Sequence, residues 1–175
     1  MHITQTLQYT VNSHSNRGFS LVEVMVAMVV FSIGLLGLAG LQSLGISNNQ
    51  TAYLRSIAMQ QAYNMSDRMR DNITAVNAGN YNAITTTIPS SFTNCITNSC
   101  TTTQLSVFDA FEWNTTNAEQ LPEGRGSVTR DGDQFIICVM WNELKVAGAT
   151  EPDCTGDTAY NPTTEYKFYA LRVEL

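Results

Sequence analysis

Histidine is almost absent from this chain: His2 and His14 are the only two, and both precede residue 18. The residues beyond them cannot supply a histidine-based catalytic triad or metal cluster. Basic charge is scarce as well. Nine Lys and Arg stand against fifteen Asp and Glu, giving a formal net charge of −6. A surface of that sign repels phosphate, which sets direct nucleic-acid binding aside. The four cysteines, Cys95, Cys100, Cys138 and Cys154, lack the paired C-x-x-C spacing and the nearby His of a zinc site. Their even number fits disulfides in an oxidising compartment. Three connectivities are open to them. The sequential pairs, Cys95 with Cys100 and Cys138 with Cys154, are favoured because the second would tie a central strand to a following loop. Asp131 and Asp133 flank Gly132 and read as turn chemistry rather than an acid/base dyad. An EF-hand is out of register there, since the twelfth position from Asp131 is Asn142 and not the required Glu. Neither a catalytic site nor a cofactor is expected.

What the chain does have is one long apolar run, Phe19 to Ile46, whose single ionisable residue is Glu23. Its 28 residues would span about 42 Å as a helix, more than the roughly 30 Å hydrocarbon core of a bilayer. It is also longer than a signal-peptide h-region of about 7 to 15 residues, so the run is expected to be retained while residues 1–18 are a removable leader. Arg17 just before it favours a cytoplasmic N-terminus. Losing Arg17 with the leader takes the net charge from −6 to −7. A carboxylate inside a membrane segment costs several kcal/mol on most estimates, about 2.5 or more, unless paired, which makes Glu23 a functional candidate. Gly34, Gly37, Gly40 and Gly45 recur within the run. Two readings stay open for them: close approach of neighbouring helices, or the ordinary glycine content of membrane helices.

Past Ile46 an apolar stripe continues at helical spacing through Leu54, Ala58, Ala62, Met65, Met69 and Ile73. Arg55, Gln60, Asn64, Asp67, Arg70 and Asp71 take the opposite face. This predicts an amphipathic half, residues 47–73, ending near Asn72 and laid against a globular head, residues 74–175. Residues 74–104 read mostly as loop. Leu105 to Gln120 reads as a helix stopped by Pro122 and Gly124. Ser127 to Arg130 and Gln134 to Asn142 flank a hairpin turn at Asp131-Gly132-Asp133. The second strand is apolar on both faces, with Phe135, Ile137, Val139 and Trp141 on one and Ile136, Cys138 and Met140 on the other, as a central strand would be. Tyr166 to Val173 supplies a last strand. The predicted fold class is α+β: a long helix packed on a small antiparallel sheet. Tyr160, Tyr166, Tyr169, Trp113 and Trp141 offer stacking surfaces for a ligand, but aromatic residues in strands are more often core.

The segment Arg17-Gly18-Phe19-Ser20-Leu21-Val22-Glu23, followed at once by the apolar run, resembles the prepilin signature of type IV pilins and type II secretion pseudopilins. The resemblance implies that a membrane aspartyl protease, the prepilin peptidase, cuts between Gly18 and Phe19 and methylates the new N-terminus at Phe19. It implies that Glu23 forms a salt bridge with the N-terminal amine of a neighbouring subunit during assembly. Segments 32–42, 49–55 and 65–72 narrow the likeness to PilV, the type IV pilus modification protein family. Later pieces agree: Cys95 with Cys100, Asp109 with Trp113, Leu121-Pro122-Glu123-Gly124 with Gly126, and Val139-Met140-Trp141. The expected role is then a minor pilin, held in the inner membrane with a periplasmic head and later at the pilus tip. Its expected partners are other minor pilins, the major pilin and a tip adhesin. A type II secretion minor pseudopilin is the alternative. Where major pilins usually carry a mid-segment proline this chain has Gly40, which weighs against a role in the body of the filament.

Overall fold

The computed structural model describes residues 18–145, 147–152, 154 and 166–175. Residues 1–17, Arg17 included, and Tyr160 lie outside the described residues. The chain divides into two compact units, Met1–Gly45 and Ile46–Leu175. The first helix, α1 (Leu21–Asp71), contributes to both.

In the first unit α1 is apolar on every side, and its side chains are exposed throughout. It runs without a break through Gly37 and Gly40. Its most apolar 18-residue window has a mean hydropathy of 2.5 and none of it is buried. A helix apolar all round needs an apolar surrounding, and by length and composition this one can cross a membrane.

In the second unit α1 becomes one-sided. Leu54, Ala58, Ala62, Met65 and Met69 are buried, joined by Ile57 and Ser66, while Arg55, Gln60, Asn64, Asp67, Arg70 and Asp71 are exposed. Ile73 departs from the predicted stripe and is 42% exposed. The reason is local: Asn72 leaves helical geometry at φ −114 and ψ 46, so the stripe turns away and a separate short helix, α2 (Ile73–Asn77), begins. Residues 74–104 accordingly contain more than loop: the rest of α2, then a two-residue strand, β1 (Ala83–Ile84).

The next helix, α3 (Thr102–Gln120), starts three residues before the predicted Leu105. Thr101 caps it: its hydroxyl accepts from the Gln104 backbone N–H at 3.2 Å, and the Gln104 side chain accepts from the Thr101 N–H at 2.9 Å. Strands β2 (Arg125–Asp131), β3 (Gln134–Trp141) and β4 (Lys167–Glu174) complete the chain order. The sheet is antiparallel throughout, in the order β1-β2-β3-β4. Asp131 pairs with Gln134, so Gly132 and Asp133 form a two-residue turn, and Gly132 takes the positive φ of 62° required at its first position. As expected of a central strand, β3 pairs on both sides and is buried from Phe135 to Trp141. Phe135, Ile137, Val139 and Trp141 join the stripe of α1 in the main core, and Cys138 and Met140 pack with Tyr166 on the far face.

Candidate functional site

The candidate site lies at the start of the first unit. Gly18, Phe19 and Ser20 precede the helix, and the Ser20 carbonyl accepts from the Glu23 N–H at 3.0 Å and the Val24 N–H at 3.3 Å. Glu23 therefore sits in the first turn, where its carboxylate meets the positive end of the helix dipole. Phe19 is 84% exposed, and a side chain at Gly18 would meet nothing within 4 Å, so the Gly18–Phe19 peptide is open to approach. Glu23, Ala27 and Phe31 recur every four residues and share one face of α1, and Phe19 lies beside them just before the helix. With Val24 and Met28 they line a shallow apolar concavity of about 500 Å³. Glu23 has no cationic partner among the described residues. The arrangement presents a carboxylate on an apolar surface, five residues beyond an accessible glycine.

Residues 13–39 match the family described as the prokaryotic N-terminal methylation motif. The chain has a prepilin-type N-terminus. The motif supports a type IV pilin-like or pseudopilin-like protein, a structural role rather than an enzymatic one. It implies processing by prepilin peptidase and assembly with other pilins into a pilus or pseudopilus. Together with the apolar helix it points to inner-membrane anchoring with a periplasmic head. No curated protein and no solved structure matches the chain.

The pilin-like head is held together by polar contacts that periodicity does not reveal. Arg68 on α1 donates from Nη1 to Asp109 Oδ1 and to Glu112 Oε2 on α3, each at 3.0 Å. Asp109 is buried, and its other oxygen accepts from the Tyr81 hydroxyl. Asn72 donates to the Tyr81 hydroxyl oxygen at 3.2 Å and to the Thr102 carbonyl at 2.9 Å. Burial first, and then the bond to Asp109, pushes the Tyr81 pKa up. Burial opposes the Arg68 cation, but its bonds to Glu112 and Asp109 outweigh that and raise its pKa. This network ties α1 to α3 through the segments that flank α2. Trp113 adds a second tie, donating from Nε1 to the Gln61 carbonyl at 2.9 Å.

The turn Leu121-Pro122-Glu123-Gly124 joins α3 to the sheet. The Pro122 carbonyl accepts from the Asn142 N–H at 2.9 Å, and Glu123, at φ 50°, accepts from the Tyr166 hydroxyl at 2.7 Å and from Asn142 Nδ2 at 3.2 Å. Those two bonds, Tyr166 before Asn142, hold the Glu123 carboxyl below its usual range. Gly124 lies against the Asn117 carbonyl and Gly126 against the Trp113 ring, so closely that a Cβ at either position would overlap them.

Cys95 is bonded to Cys100 and Cys138 to Cys154, with Cα separations of 5.5 and 6.0 Å. Both disulfides are in the second unit, whereas Gly18, Phe19 and Glu23 are in the first. No group of three His, Cys, Asp or Glu side chains converges as metal ligands would among the described residues.

Proposed function

We propose that the chain is a minor pilin of a type IV pilus, similar to the PilV family, cut by prepilin peptidase between Gly18 and Phe19 and methylated at Phe19. It contributes to the priming or tip complex that starts pilus assembly, and through it to adhesion and twitching motility. Its partners there are other minor pilins, the major pilin and a tip adhesin. The observation that carries this reading is Glu23: the single ionisable group of a 28-residue apolar run, lining one concavity with Phe19. In an apolar bundle a carboxylate needs an opposite charge, and the freed amine of an adjacent subunit's Phe19 supplies one. A wrong register would leave both charges unpaired.

Support for a pilus over a secretion pseudopilus comes from the PilV-like segments within residues 49–72, with which the PilV-like residues of the head agree. Several of them meet in the fold: Trp113 with Gly126, and Asp109 with the clamp on Arg68. The deciding experiment is N-terminal mass spectrometry of the protein from membranes and from sheared pili. A mature N-terminus at methylated Phe19, present in the sheared fraction, is expected. An uncut leader would overturn the processing route. Correct processing with accumulation beside secretion components, and none in pili, would assign the protein to a pseudopilus.

A further inference from the structure

From Asn72 to Phe108 the chain runs 37 residues without an Asp, Glu, Lys, Arg or His, and twenty of them are Ser, Thr, Asn or Gln. A chain of net charge −6 thus keeps one long neutral stretch. The fold gathers that stretch onto itself. Asn72 donates to the Thr102 carbonyl, Asn80 Nδ2 donates to the Thr103 hydroxyl at 3.0 Å, and the Cys95–Cys100 disulfide closes a loop between these ties. Phe92, in the same stretch, is stacked on Phe111 of α3 with ring centroids 3.7 Å apart, yet it stays 37% exposed. Its ring is an aromatic platform held from behind.

Two shallow concavities meet at Val107, which lines both. One, of about 270 Å³, is walled by Ser91, Phe92, Thr93, Thr103, Gln104 and Val107. The other, of about 200 Å³, has Asn80, Thr85, Thr87 and Ser106 among its walls. Among the described residues no charged side chain lines either one. Both are smaller than the roughly 300–1,000 Å³ that drug-sized ligands fill, and each suits a single saccharide ring. The Ser91 and Thr93 hydroxyls and the Gln104 amide nitrogen have no hydrogen-bond partner among the described residues, so they are open to a ligand. Hydroxyls and amides both donate and accept, as the hydroxyls of a sugar require. A phosphate or carboxylate would find no cation here to offset its desolvation. The C–H bonds on the face of a sugar ring suit the negative face of an aromatic one.

We infer that this face of the head binds a neutral oligosaccharide, one ring stacked on Phe92 and the next across Val107 beside Thr85 and Thr87. The core of a protein–protein interface is enriched in Arg as well as aromatic residues. This face has no Arg, and its exposed apolar side chains, Ile88, Phe92, Ile96 and Val107, stand among hydroxyls and amides. That composition favours a sugar over a protein partner. The proposal goes beyond the assembly reading and does not rest on it, because the head carries the same surface in a pilus or a pseudopilus.

The test is saturation-transfer NMR on the full mature chain in phosphatidylcholine nanodiscs, which carry no sugar headgroup. Maltohexaose, cellohexaose and chitohexaose are the neutral probes, and a heparin hexasaccharide is the anionic comparison. At least one neutral probe should receive saturation on its ring C–H protons, and heparin should receive none. Phe92→Ala should weaken that binding about fivefold or more. Because it also removes a neighbour of Phe108 and Phe111, Ser91→Asp supplies a second arm: it places a charge at an exposed position and should weaken binding as much while the melting temperature stays unchanged. Ile96→Ala, 77% exposed in the disulfide loop and outside both concavities, should bind as the unaltered chain does. No transfer to any of the three neutral probes overturns the proposal. So does binding that survives both Phe92→Ala and Ser91→Asp, or equal binding of heparin. If the sugars fail while Ser91→Asp lowers co-purification with other pilins, the face is a subunit contact and the proposal falls.

Discussion

Gly126 shows how tightly the head is fitted at a single residue. Its N–H donates to Asn114 Oδ1 at 2.7 Å, and the space a side chain would need is filled by the Trp113 ring and the Asn117 amide. Neither neighbour can retreat easily, because Trp113 is held by the Gln61 carbonyl and Asn117 is fully buried. Gly126→Ala should therefore destabilise the head by about 1–3 kcal/mol, the usual cost of overpacking. A lower denaturant midpoint with an unchanged slope would register it. A glycine in a strand has no side chain to betray its partner, so in the sequence Gly126 stands out only through the family likeness. The same holds for Asp109. Its charge reads as ordinary surface on an amphipathic helix until Arg68 and Tyr81 converge on it across the fold.

Among the elements, β3 is the most legible in the sequence, because seven consecutive residues apolar on both faces, Phe135 to Trp141, leave little room for any place but the middle of a sheet. Its two faces divide between α1 and the far-side cluster around Cys138, as the alternation predicts. Elements that periodicity misses are brief or depend on distant partners. A two-residue strand such as β1 is too short to show a period, and it forms only because β2 is there to pair with it. The start of α3 is hidden because the apolar period begins at Leu105, whereas the capping box that fixes the first turn is built from Thr101 and Gln104. The turn after β3 carries a pH response. Burial alone would raise the Glu143 carboxyl, but bonds from Lys167 and Thr51 outweigh it and hold its pKa below the ordinary value. Its folded pKa thus lies under the unfolded value of about 4.3. The stabilisation is complete above that value and is lost as pH falls through the depressed one. Amide exchange at residues 142–145 should quicken in that acid window, and Glu143→Gln should abolish the response.

At the scale of the whole molecule, charge is distributed by task. The apolar run keeps one carboxylate, and the other fourteen acidic residues all lie beyond it. If Glu23 acts only between subunits, Glu23→Ala should leave the unfolding of the head unchanged. Its recovery in sheared pili should drop about tenfold or more, since an unmatched amine in an apolar bundle costs more than about 1.4 kcal/mol. Recovery equal to that of the unaltered protein would remove the charge-pairing mechanism. Burial along α1 starts with Thr51, half covered, and is full from Leu54; every described residue before Thr51 is exposed. The core of the head therefore makes no claim on the apolar segment. A polypeptide begun at Ser47 would keep every α1 side chain the sheet covers and shed the part that needs lipid, whereas one begun past Leu54 would open the core.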